Sequence, residues 1–84
     1  MSHLQGYIHT SYDALVRVFG QPEHNICDKV SVQWRIGDED IFVYDYKDQC
    51  PQDDTEFEFH VGGNSLGDFQ TVVKLMRRAG EDVR

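Results

Sequence analysis

Gly62-Gly63-Asn64-Ser65, with His60 just ahead of it, is the stretch whose residue types best suit binding chemistry. Glycines let a backbone approach a ligand closely, and a helix starting after them offers unpaired amides and the positive end of its dipole. The guest such a loop suits is an anion, above all a phosphate, with His60 as an added donor. The Lys-Ser/Thr ending of a nucleoside-triphosphate loop is missing. The same four residues also read as a plain turn in which Asn64 or Ser65 caps the helix. A second set is the row Phe42, Tyr44 and Tyr46, alternating along one face of a strand, with Gln33 and Arg35 alternating on the strand before it. Rings stack on bases, and an arginine forks onto phosphate. Trp34 would add a ring and Lys47 a charge. The same row also suits a face packed under a loop or helix, or an interface between subunits.

Other arrangements carry less. Gly63-Asn64-Ser65-Leu66-Gly67 matches the G-x-S-x-G order of a nucleophile elbow. An antiparallel domain of 84 residues has no parallel sheet to position the rest of a triad. His24, Cys27, Cys50 and His60 lack zinc spacing, and Asp38-Glu39-Asp40 and Asp53-Asp54 lack calcium-loop spacing. Glu56 and Glu58 share a face, but nothing marks a pocket around them. The reading is a non-enzyme with no catalytic residue, no metal and no cofactor.

Fifteen acids against eight bases give a formal charge of −7, which argues against long nucleic acid as a partner bound through its phosphates. The charge is uneven: nine acids and one base, Lys47, lie between Gly37 and Glu58, whereas Lys74, Arg77, Arg78 and Arg84 crowd the last eleven residues. The acidic stretch reads either as a solvated face or as a surface that imitates a phosphate backbone. No apolar run is long enough to span a membrane or to form a signal peptide's core. Two cysteines make no disulfide framework. Together these features predict a cytoplasmic protein.

Short elements have to position these residues. Gly6-Tyr7-Ile8-His9 opens as a strand. Thr10 or Ser11 caps a helix over residues 12–19, in which Tyr12, Leu15, Val16 and Phe19 form one apolar stripe. Gly20 and Pro22 end it. Val30 to Ile36 alternates cleanly, with Val30, Val32, Trp34 and Ile36 on one face. Residues 37–40 turn the chain, and Ile41 to Lys47 returns. Thr55 to Val61 is a third alternating strand, broken by Gly62-Gly63. A second helix runs from Leu66 to Arg78, with Leu66, Phe69, Val72, Val73 and Met76 on its buried face. The predicted architecture is α+β: a single two-layer domain over residues 1–84 in the order β-α-β-β-β-α. Two short helices cover one face of an antiparallel meander. So thin a domain, apolar on both sheet faces, is expected to form a homo-oligomer.

The run Gly6-Tyr7-Ile8, Thr10, Tyr12, Leu15, Phe19-Gly20, Pro22, Asp28-Lys29-Val30, Trp34, Tyr44-Asp45-Tyr46-Lys47 and His60-Val61-Gly62-Gly63 resembles a group of short bacteriophage proteins, mostly of unassigned role. The resemblance extends from Gly6 to about Val73, and Phe59 matches the aromatic that precedes the His-apolar-Gly-Gly element. It brings no catalytic residues. It implies a phage origin, hence the host cytoplasm, and small acidic phage proteins often antagonise host defence. One such role is a sponge for a phosphorylated or cyclic nucleotide immune signal. His60, Gly62, Gly63, Asn64 and Ser65 would then grip phosphate, Tyr44, Tyr46 or Trp34 would stack a base, and Arg35 or Lys47 would supply charge. Bulk at Gly63 should then block capture and leave the fold intact. The other role is an acidic inhibitor of a host defence protein, such as an anti-CRISPR or nucleic-acid mimic. A structural accessory role is the third.

Overall fold

The computed structural model describes residues 3–37 and 40–83. The elements are β1 (His3–Thr10), α1 (Tyr12–Phe19), β2 (Glu23–Cys27), β3 (Val30–Arg35), β4 (Phe42–Tyr46), β5 (Phe57–Gly63) and α2 (Leu66–Arg78). All five strands form one antiparallel sheet in the order β1-β5-β4-β3-β2. The fold is α+β, an antiparallel meander with two helices on one face, as the alternation and the apolar stripes predict. Asp38 and Glu39, in the turn expected between β3 and β4, lie outside the described residues.

Strand β2 is an addition to the expected order. Glu23–Cys27 shows no alternation, and every residue in it is exposed. Only its pairing with β3 makes it a strand. A second correction concerns β5, which continues through Gly62 and Gly63 instead of breaking there, because β1 pairs with both.

The caps are local. Ser11 is the N-cap of α1, and its hydroxyl accepts from the Ala14 amide at 3.1 Å. At the far end Gly20 takes φ 86°, a region L side chains avoid, and its amide closes the helix on the Val16 carbonyl. The Gly20 carbonyl then accepts from the Trp34 indole at 2.8 Å. Because β1 and β2 are opposite edges, α1 must carry the chain across the sheet. An eight-residue helix is about 12 Å long. Four interstrand gaps span about 19 Å, so the segment through Gly20 to Pro22 completes the crossing.

The core lies between sheet and helices. It gathers Ile8 from β1, Val32 and Trp34 from β3, Val43 from β4, Phe59 and Val61 from β5, Leu15 from α1, and Val72 and Met76 from α2. Trp34 meets Tyr12 and Phe59 edge to face at 5.5 and 5.9 Å. Leu66 is not part of it: at the first position of α2 it precedes the turn that reaches the core and is 59% exposed. No helix among the described residues is long and apolar enough to cross a membrane.

Candidate functional site

The face of the sheet turned away from the helices carries the candidate site, and the strand register assembles it. One row across the strands is Tyr7, His60, Tyr44 and Gln33, and the next is Leu4, Gly62, Phe42 and Arg35. Tyr46 lies on the same face two residues beyond Tyr44. His60 is the centre. Its ring stacks on Tyr44 at 5.5 Å and 28°, meets Tyr7 edge-on at 4.8 Å, and lies 5.4 Å from Tyr46. Lys47 sets its ammonium 5.3 Å from the Tyr46 ring. Arg35 is exposed at the other end.

Among the described residues, Nδ1 of His60 is a buried side-chain nitrogen with no hydrogen-bond partner. Burial lowers the proton affinity of this histidine below its ordinary value, against an opposing pull from the Glu58 charge. The Tyr44 phenol is pushed the other way, chiefly by burial and then by Tyr46 and Tyr7. Both shifts favour the neutral forms of His60 and Tyr44. The exposed rings of this group offer faces on which a planar partner can stack, while the unsatisfied nitrogen lies beneath them, out of contact with solvent.

The glycine loop is occupied by the chain itself. Asp68, in the first turn of α2, accepts from the Asn64 amide at 2.7 Å, the position a bound phosphate oxygen would take. A Cβ on Gly63 would stand 2.7 Å from the Asp68 Cβ, so this glycine makes room for the aspartate. The expectation that bulk at Gly63 leaves the fold intact is therefore corrected, because a side chain there collides with α2. Gly62 serves the open face instead. A Cβ on it would come 3.4 Å from the Tyr44 ring, so it seats that tyrosine. Asn64 and Ser65 are exposed, and Ser65 caps α2 without a side-chain hydrogen bond.

Trp34 is 2% exposed and belongs to the covered face, so it cannot stack a ligand beside Tyr44. Of the remaining sequence candidates, His60, Tyr44, Tyr46 and Arg35 share the open face, Gly62 seats Tyr44, and Lys47 joins them through the Tyr46 ring. Tyr7 is the residue that sequence reasoning missed. Its type was a signal, but only the pairing of β1 with β5 brings it to His60.

The acidic stretch is not uniformly solvated either. Asp45 is fully buried. Its carboxylate accepts from the amides of Ser31 and Val32 at 2.9 and 3.0 Å, from the Cys50 amide at 3.0 Å, and from the Ser31 hydroxyl. It ties the loop after β4 to β3. Burial and the Asp45 charge push the Cys50 thiol up to about 12, so it stays protonated and unreactive at neutral pH. By contrast Asp53 is exposed, and the Thr55 side-chain and backbone donors hold its carboxyl below the ordinary value. Among the described residues no group of three or more His, Cys, Asp or Glu side chains is placed to hold a metal ion. Set beside known proteins, the chain matches no family model, no curated protein and no solved structure.

Proposed function

We propose that the protein is a non-enzymatic binding module that captures a small nucleotide-type ligand on the open face of its sheet. The observation that carries this reading is the partnerless Nδ1 of His60 inside a ring of three tyrosines, Tyr7, Tyr44 and Tyr46. A base that stacks on Tyr44 and Tyr46 and turns aside the groups burying Nδ1 satisfies that nitrogen, and Arg35 or Lys47 meets its phosphate. Gly63, Asn64 and Ser65 take no part, since Asp68 already fills the helix start. The resemblance to bacteriophage proteins supports a host immune signal as the ligand, a cyclic or ADP-ribose-type nucleotide held in the host cytoplasm. Exposed Leu4, Tyr7 and Tyr46 support a homo-oligomer that completes the pocket.

The test is thermal unfolding against linear and cyclic nucleotides, ADP-ribose and inorganic phosphate. A ligand at a hundred times its dissociation constant adds about 2.7 kcal/mol, which raises the melting temperature of so small a domain by several degrees. Tyr44→Ala and His60→Ala are expected to abolish that rise. Silence across the panel overturns the reading. A second reading, an acidic inhibitor of a host protein, is favoured by the exposure of Asp40, Asp48, Asp53, Asp54, Glu56 and Glu58, and it predicts that silence.

A further inference from the structure

A groove of about 900 Å³ runs between β1 and α2 on the covered side of the sheet. Ile8, Phe69 and Val73 supply its apolar part, and Phe69 lies so close over Gly6 that a Cβ there would meet the ring at 2.8 Å. The charged residues lining it are Lys74, Arg77 and Arg78, all basic, in a chain whose formal charge is −7. All three are exposed. Neither the His9–Glu58 nor the Arg17–Glu81 ion pair uses them.

The strand beside this groove is a sheet edge. β1 pairs with β5 on one side only, so a row of its amides and carbonyls faces outward. The register breaks between Leu4 and Gly6, which leaves Gly6–Thr10 as a regular five-residue template. The opposite edge is a poorer template. In β2 the register shifts between His24 and Cys27, and Asn25 sits at φ 55°.

We propose that this groove takes an extended, carboxylate-bearing segment of a partner protein, added to β1 as a further strand. Main-chain hydrogen bonds to Gly6–Thr10 hold the segment in register. Because alternate side chains of a strand share a face, every second residue points at α2. An apolar one there meets Phe69 and Val73, and acidic ones meet Lys74, Arg77 and Arg78. A second copy of this chain is a poor occupant. Pairing β1 with its own copy about a two-fold axis brings two sets of three bases together, and no acid lines the groove to offset them.

The probe is a short fluorescent peptide that alternates threonine with glutamate and valine, read by anisotropy against the full chain. Three controls accompany it: the same peptide with lysine for glutamate, one N-methylated at alternate amides, and the acidic peptide at raised salt. The acidic peptide is expected to bind, to weaken with salt, and to shift backbone amide resonances within Gly6–Thr10. Each control peptide, and a Lys74→Glu, Arg77→Glu, Arg78→Glu variant, should weaken binding by about tenfold or more. No binding by the acidic peptide overturns the proposal, as does equal binding of the lysine peptide. Undiminished binding of the N-methylated peptide removes strand addition. A sedimenting dimer that the acidic peptide dissociates would show that a second copy is the occupant. The controls leave the protein untouched, so a misfolded variant does not decide the outcome.

Discussion

On the helix-covered face of the sheet, Trp34 and Phe59 meet edge to face at 5.9 Å and are 2% and 0% exposed. On the open face, Tyr44 and His60 stack at 5.5 Å and stay half-buried. Both pairs join a ring of β5 to a ring of another central strand, so the difference is in what lies above them. On the covered face, polar atoms are matched: the indole donates to the Gly20 carbonyl and the Asp45 carboxylate takes three amides. On the open face the Nδ1 of His60 has no match. Aromatic content therefore does not separate core from site in this protein. Polar satisfaction does separate the two faces, because burying an unmatched nitrogen costs about 1–3 kcal/mol.

Denaturant unfolding offers the strongest way to break that comparison. Phe59→Ala empties a fully buried site and should cost about 3–5 kcal/mol, whereas Tyr44→Ala should cost about 1 kcal/mol. Equal losses would mean that the open face is a second core. Asp45→Ala comes next. It strands the amides of Ser31, Val32 and Cys50, and a loss of about 1–3 kcal/mol is expected. A neutral result would show that the loop after β4 holds β3 by other means.

The smallest effect is a pH dependence. The unfolded chain binds a proton at His60 near pH 6.5, and burial lowers that affinity in the folded state. Between the two values the unfolded state carries more protons, so stability rises with pH and is lost as pH falls from about 6.5 through the lower folded value. Urea midpoints measured from about pH 7.5 down to about pH 5 should drop more steeply for the parent than for His60→Gln. Parallel slopes would show that His60 is not held neutral by its neighbours.

Much of the fold was legible because its signals are local. Ser11 before Tyr12, Gly20 before Pro22, and the alternation of Val30, Val32, Trp34 and Ile36 each follow from one stretch of chain. The period separates the two faces of a strand, so it also put Tyr44, Tyr46, Gln33 and Arg35 together and His60 outward. It could not find β2, whose residues Glu23–Cys27 have no buried side and are a strand only through β3. Nor could it tell that Asp45, written among nine acids, is buried.

The sequence by itself determined the helices, the alternating strands and which residues share a strand face, since backbone geometry repeats about every 3.6 or 2 residues whatever lies nearby. Tertiary structure alone decided which strands are neighbours. Pairing β1 with β5 delivered Tyr7 to His60 and made β1 an edge beside the bases of α2. Those outcomes depend on contacts between residues far apart in the chain, and periodicity carries no record of register or of the charge a distant side chain brings.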